Sequence, residues 1–314
     1  MTVPSRGYAG DPPVGTADVS SVGAAESMVW INGERQPGGS AHVSAQDRGL
    51  TLADGVFETM RVRGGAVFRL GRHLARLERG LAVLEISAPP ELDDWVLGAV
   101  RTAAIRTRNV RDASIRLTVT RGVGQAGVSP PAGAQPTVII TMSPMPSFPA
   151  SIYDEGLTAH IASGRRNERA MTAGLKTLAY TDAIAGFLEA RRAGADEALF
   201  LDTEGHCSEA TASNLFAWTG AVLVTPPLSC GVLPGVTREV VLELARAQGL
   251  PAVERAFGLE ELIAAEEAFL TSSLRGLAPL VRVGSHAIGR GTPGPCTLRL
   301  TAAYLALVDR ECGI

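Results

Sequence analysis

Lysine is almost missing from this chain. Of 29 basic residues in 314, one is a lysine, Lys176, and the other 28 are arginines. Such a composition reads as a bias toward arginine codons, under which any lysine that arginine could replace has been replaced. Either the survivor does what a guanidinium cannot, such as forming a Schiff base through its primary amine, or it is a surface lysine left by chance. Cysteine is scarce as well. Cys207, Cys230, Cys296 and Cys312 form no CxxC, and with His42, His73, His160, His206 and His286 they show no paired ligand spacing. A zinc motif and a disulfide framework therefore lack support, and no metal is expected. No apolar run approaches the roughly 18 uncharged residues that cross a bilayer, so no membrane partner is expected. A formal net charge of −3 leaves no basic surplus for nucleic acid. No GxSxG or comparable motif frames a nucleophilic serine.

What is present is ordinary globular composition, 46% hydrophobic and 19% charged, in a chain long enough for about two domains. Residues 1–27, rich in Gly, Ser, Pro and Ala without an apolar stretch, read as a disordered tail and not a signal peptide. Either that, or Met28 is the true start. A cytoplasmic protein is expected. Val29–Ile31 reads as a strand, followed by the hairpin pair Asn32-Gly33. Asp47–Arg63 mixes loop and short strand, and Val67–Arg69 is a further strand. Leu74, Leu77, Leu81 and Leu84 recur at helical spacing, and Glu91–Arg108 is a second helix with Trp95, Val96, Val100 and Ile105 on one side. Strands are predicted at Ser114–Thr120, Thr137–Thr141, Leu157–Ala162, Ala198–Asp202, Asn214–Trp218, Ala221–Thr225, Ala252–Phe257 and Glu267–Ser272. Helices are predicted at Thr181–Ala193, Thr237–Gln248, Leu259–Ala265 and Cys296–Arg310. The class is mixed α and β. Met145–Pro149, with two prolines, is the best connection between domains 28–144 and 154–314, with 145–153 as linker.

Gly122–Gly127 matches GxGxxG after a strand, but Pro130-Pro131 follow at once. Two prolines cannot continue the helix that a dinucleotide loop requires. Leu233-Pro-Gly-Val-Thr-Arg238 precedes a helix. Gly235 permits close backbone approach, and the free N–H groups of a helix start suit a phosphate, though an ordinary helix start reads the same way. Arg76 is either a phosphate partner or part of a solvated helix face. Glu209 is either a solvent-facing turn residue or a carboxylate that holds a proton on a cofactor ring nitrogen. One lysine, a phosphate-suited helix start, and a carboxylate 33 residues after the lysine together suit pyridoxal phosphate.

At this point the chain resembles the class IV aminotransferases, the fold-type IV pyridoxal phosphate enzymes. The segments that carry the resemblance are Trp30-Ile-Asn-Gly33, Asp47-Arg-Gly49, Asp54-Gly-Val-Phe-Glu-Thr59, His73-x-x-Arg-Leu77, Gly174-Leu-Lys-Thr-Leu178, Ser208–Phe216, Leu233–Arg238 and Phe269–Ser273. They run from Val29 to about Val308, in an order and spacing that are specific together. The resemblance implies a two-domain α/β (mixed α+β) fold, smaller domain first, with cofactor in the cleft and usually a homodimer. It implies that Lys176 carries the Schiff base and shuttles the proton, and that Glu209 pairs with the ring nitrogen. Arg76, the Val236 backbone, Thr237 and Ser273 would hold the phosphate, and Leu233 would pack on the ring. The substrate is expected to be a small amine or amino acid.

Within the family, Gly194–Gly205 and Asp47-Arg…Asp54-Gly look most like 4-amino-4-deoxychorismate lyases of folate biosynthesis. Arg116 and Gly127-Val-Ser-Pro-Pro131 look more like branched-chain aminotransferases. The tyrosine usual in the latter near Leu52 is missing. Thr120-Arg-Gly122 is not followed by the Arg-x-His of D-amino-acid transaminases. Lyases often have Asn three residues after the lysine, where this chain has Ala179. Arg48, Arg116, Arg121, Leu274 and Arg275 lie in segments the family places near the cleft, and arginine suits bidentate carboxylate contact. A lyase substrate carries two carboxylates, so this surplus of arginines favours the lyase over a branched-chain or other transaminase. A cofactor-binding protein with altered activity is the third reading.

Overall fold

The structure, a computed structural model, describes residues 27–37, 40–106, 112–125 and 127–314. The tail expected over 1–27 lies, but for Ser27, outside the described residues. Asn32 and Gly33, at φ 49° and 82°, turn β1 (Met28–Ile31) back onto β2 (Glu34–Gln36), as the Asn-Gly pair predicts. A short helix α1 (Arg48–Leu52) occupies part of the segment that reads as loop. Asp47 caps it by accepting the Gly49 N–H at 2.8 Å. Then come β3 (Gly55–Arg63), β4 (Ala66–Val67), α2 (Leu70–Leu84), α3 (Leu92–Arg106), β5 (Asp112–Thr120) and β6 (Thr137–Pro144). The six strands make an antiparallel sheet in the order β2-β1-β6-β5-β3-β4. Its core is closed by Leu74, Leu77 and Leu81 of α2 and by Leu92, Val96, Ala99 and Val100 of α3. Residues 107–108 of the expected second helix, and the side chain of Ile105, lie outside the described residues.

After α4 (Ser151–Asp154) the chain enters a second sheet. Its elements are β7 (Leu157–Arg166), α5 (Thr181–Arg192), β8 (Glu197–Asp202), β9 (Cys207–Ala210), β10 (Asn214–Trp218), β11 (Leu223–Thr225), a 3-10 turn (Leu228–Cys230), α6 (Val236–Ala247), β12 (Ala252–Glu254), α7 (Leu259–Ala264), β13 (Glu267–Ser272), β14 (Gly276–Val283), β15 (His286–Ala287) and α8 (Pro295–Glu311). The order is β12-β11-β10-β13-β14-β7-β8-β9, with β15 beside β14. A bridge between Glu209 and Asn214 returns β9 to β10, so the sheet curls into a closed ring. Buried β14 joins β13 to β7, yet the sequence does not announce it. Pro279, opposite Phe269, argues against a central strand because it cannot donate to the ladder.

The two sheets meet through backbone. The Phe57 N–H donates to the Lys176 carbonyl at 3.0 Å, and the Leu178 N–H donates to the Gly55 carbonyl at 3.1 Å, with Val56 opposite Thr177. The lysine therefore hangs from a seam between β3 and the segment that follows β7.

Two arginines expected at a substrate cleft are elsewhere. Arg48 and Arg121 converge on Asp54, with Nε to Oδ2 distances of 2.8 and 2.7 Å. Arg121 also donates to the carbonyls of Leu84 and Glu85. Arg48 donates to those of Gln125, Gly127 and Val128. The GxGxxG segment thus wraps a guanidinium instead of opening a helix. Both side chains are buried with nearly all their donors engaged, so they brace loops and do not line the cleft. Although burial pushes the Asp54 carboxyl up, the two arginines outweigh it and hold it below its ordinary range. Asp54→Ala leaves two buried guanidinium groups uncompensated. It should cost about 3–5 kcal/mol of stability, measured by denaturant unfolding with cofactor bound.

Candidate active site

Lys176 enters an open cleft whose two lobes, about 250 and 440 Å³, share Lys176, Tyr180, Ala212, Ser213, Asn214 and Leu233 as walls. Its Nζ lies 3.2 Å from the Tyr180 hydroxyl and 4.5 Å from the Phe57 ring centre. Tyr180 meets Phe57 edge-on at 5.1 Å, which fixes both rings around the amine.

At the inner end of the smaller lobe stands Glu209, its side chain 13% exposed. Oε2 accepts the Leu233 N–H at 2.9 Å and the Asn214 amide at 3.2 Å. Oε1 accepts no hydrogen bond among the described residues, and forms a long ion pair at 3.6 Å with the Arg166 Nε, which makes no hydrogen bond of its own. Burial prevails and pushes the Glu209 carboxyl above its ordinary range, against the pull of Arg166, the Leu233 N–H, Lys176 and Arg76. A buried carboxylate with one free oxygen is what a protonated ring nitrogen would satisfy.

At the other end, α6 begins at Val236 with Gly235 as its cap and no side chain satisfying its first N–H groups. A Cβ on Gly235 would come within 2.0 Å of the Asn214 Oδ1, so only glycine fits this approach. Thr237, Ser273 and the buried, unpartnered Thr271 hydroxyl line the same lobe. So does Arg76, oriented by a carboxylate with no exposure at all. Glu58 accepts Arg76 Nε at 2.7 Å and Nη2 at 2.6 Å, and Nη1 donates to the Pro234 carbonyl at 3.0 Å. His73 Nδ1 lies 2.7 Å from Glu58 Oε2, and burial lowers the imidazole below its ordinary range, so it donates as a neutral ring. Burial pushes the Glu58 carboxyl up, but the hydrogen bonds of Arg76 and His73 and the guanidinium charge prevail and hold it at about 2. Helix dipole, guanidinium and hydroxyls form an anion cradle. Donor set and carboxylate together fit pyridoxal phosphate.

The remaining predicted residues separate cleanly. Leu233 lies between the two ends, and Arg116, Leu274 and Arg275 line the larger lobe beside Phe57, Phe148 and Leu178. Arg116 stacks on Phe57 at 3.7 Å and has no carboxylate partner among the described residues. Arg116 is exposed in the open cleft, and partial desolvation by its walls pulls its pKa below the ordinary value. Arg275 is loosely tethered, Nη1 lying 3.7 Å from Glu197. Sequence reasoning gave no role to Phe57, Glu58, His73, Arg166, Tyr180, Asn214 or Thr271. Glu58 carried a usable signal, since a charge inside the nine-residue, mostly buried β3 must find a buried partner.

The model of the family described as amino-transferase class IV matches residues 55–283. A Methanocaldococcus jannaschii protein provisionally named a branched-chain-amino-acid aminotransferase is 34% identical over 277 residues, covering 88% of this chain and 94% of that one. The crystal structure of the Escherichia coli branched-chain amino acid aminotransferase superposes with a TM-score of 0.84 at 30% identity, covering 90% of this chain and 95% of the other. That of 4-amino-4-deoxychorismate lyase from Pseudomonas aeruginosa gives 0.77 at 34% identity, covering 88% and 97%. The cleft and the mixed α/β build are those of a fold-type IV pyridoxal phosphate enzyme. The chain belongs to the class IV aminotransferases. No helix among the described residues is long and apolar enough to cross a membrane.

With a folded pKa of about 2 against an ordinary 4.5, Glu58 contributes stability that is complete above pH 4.5 and lost as pH falls toward 2. Wild type should lose about 3 kcal/mol across that window beyond what Glu58→Gln loses, read by urea unfolding at stepped pH.

Proposed function

We propose that this enzyme transfers an amino group between an amino acid and a 2-oxo acid, with Arg116 as the receptor for a second carboxylate. The observation that carries the reading is the unneutralised Arg116 guanidinium, stacked 3.7 Å from the centre of the Phe57 ring that Lys176 Nζ approaches to 4.5 Å. Glutamate presents a carboxylate to it, whereas a branched side chain would rest on the apolar walls formed by Phe57, Phe148, Leu178 and Leu274. Bound pyridoxal phosphate supplies an aldehyde that captures the amino group and a ring that accepts the electron pair released at Cα. Lys176 Nζ, the primary amine in reach, would carry the proton from the donor's Cα to the cofactor and, in the second half of the exchange, deliver one to Cα of the accepting 2-oxo acid. Tyr180 positions that amine through its hydroxyl. Glu209, held by Leu233 and Asn214, keeps a proton on the ring nitrogen. Arg76, Val236, Thr237 and Ser273 bind the phosphate, and Leu233 packs on the ring.

The lyase remains the second reading because Arg275 offers the larger lobe a second, loosely held cation. Its case is weaker than the sequence suggested, since Arg48 and Arg121 are occupied by Asp54. We also propose domains 28–144 and 154–314 joined by 145–153, because sheet membership changes there, and limited proteolysis at that connection checks it. A homodimer is supported by the exposed Ile184, Phe187 and Leu188 on α5.

Leucine plus 2-oxoglutarate should yield glutamate, and 4-amino-4-deoxychorismate should yield no 4-aminobenzoate or pyruvate. The reverse outcome replaces transaminase by lyase. Lys176→Arg should lower either activity by several orders of magnitude, and borohydride should fix the cofactor at Lys176 alone. Arg116→Ala should raise the KM for glutamate about ten- to hundredfold while leaving leucine within a few-fold. Equal losses for both amino acids would contradict the carboxylate role.

A further inference from the structure

We propose that Asp202, His206 and Cys230 form a binding site for a soft divalent cation of the zinc class, outside the cofactor cleft. β8 ends at Asp202, and a tight turn brings the chain back at His206. The turn fixes the carboxylate: Asp202 Oδ1 accepts the N–H groups of Glu204 and His206 at 3.0 and 2.8 Å. Its Oδ2 accepts from the His206 Nδ1 at 3.2 Å, and the Cys230 thiol is hydrogen-bonded to the same carboxylate. Cys230 arrives from the end of the 3-10 turn, far along the chain. The three ligand atoms lie within 4.8 Å of one another. A tetrahedral ion with bonds of about 2.0–2.3 Å sets its ligand atoms about 3.3–3.8 Å apart, so a small contraction completes the site.

Carboxylate, imidazole and thiolate make a zinc donor set, and three protein ligands leave a fourth position for water. Asp202 and Cys230 are buried, while the His206 side chain is 42% exposed and supplies the entry path. Charge closes as well. The Cys230 thiol gives its proton to solvent on binding. His206 carries its ring proton on Nδ1, toward Asp202; on binding that proton leaves and Nε2 takes one from solvent, so the neutral ring coordinates through Nδ1. One carboxylate and one thiolate then neutralise the dication in a mostly buried place. Sequence spacing cannot reveal the site, since Cys230 belongs to a different segment from the Asp202–His206 turn.

The ion would clamp two segments that meet again at Glu209. Ser208, two residues after His206, donates to the Cys230 carbonyl at 2.7 Å, and Leu233, three after Cys230, donates to Glu209. The proposal does not depend on which reaction the cleft performs.

The full-length holoenzyme, stripped with a chelator and gel-filtered, is titrated with zinc against a chromophoric chelator, and separately with cadmium in the ultraviolet. The expected result is one zinc per chain and a thiolate-to-cadmium charge-transfer band. Cys230→Ala and His206→Ala should each weaken zinc by more than about tenfold, with Cys207→Ala unchanged. Cofactor absorbance and melting without zinc report whether each variant is folded, and Cys230→Ser substitutes if the alanine variant is not. Absence of stoichiometric zinc, absence of the cadmium band in wild type, or affinity indifferent to both substitutions overturns the site.

Discussion

Two backbone hydrogen bonds hold the site in being: Phe57 N–H to the Lys176 carbonyl, and Leu178 N–H to the Gly55 carbonyl. They fix the lysine backbone against β3, the same strand that carries Phe57 and Glu58. Lys176 Nζ, the Phe57 ring and the Glu58 carboxylate therefore share one rigid reference, although the lysine belongs to the second half of the chain. The first sheet sets Arg76 through Glu58, and the second sets Glu209 through the β9–β10 bridge. The seam makes these one site and not two half-sites.

Each end of the cleft solves a desolvation problem differently. Glu58 is completed by the protein, with Arg76 and His73 occupying its oxygens, and its carboxyl stays ionised. Glu209 is less complete: one oxygen accepts two hydrogen bonds, and the other has only the long ion pair to Arg166 and no hydrogen-bond donor among the described residues. Burial raises the proton affinity of both, and only the number of fixed donors separates their outcomes. A satisfied carboxylate holds a neighbour in place, whereas an unsatisfied one selects a ligand.

The sequence was legible where a signal is local. Asn32-Gly33 requires positive φ and turns a hairpin. Leucine spacing marks α2, and the lone lysine and the Leu233–Arg238 helix start lie in the cleft. It was opaque where the deciding partner is distant. Pro279 speaks against a strand, yet β14 is central because both neighbours shield it and its apolar residues fill the core. Asp47–Leu52 read as loop because the cap that makes α1 is one side-chain bond, Asp47 to Gly49. Arg48 and Arg121 could not be told from Arg116 without knowing where Asp54 lies.

That last confusion has a general physical content. With 28 arginines and one lysine, residue type carries almost no information about a cation's task. Counter-charge does. Arg48 and Arg121 are buried, share one carboxylate and spend their remaining donors on carbonyls, so moving either would strand a charge in low dielectric. Arg76 is also paired, but with a carboxylate that in turn needs His73, so the group is locked while its outer face still lines the cleft. Arg275 is tethered at a distance where pairing is weak. Arg116 has an aromatic face and, among the described residues, no acid to neutralise it. Ranked by how completely the described residues neutralise them, these arginines run from Arg48 and Arg121, held on both sides, to Arg116, which has no carboxylate partner among them.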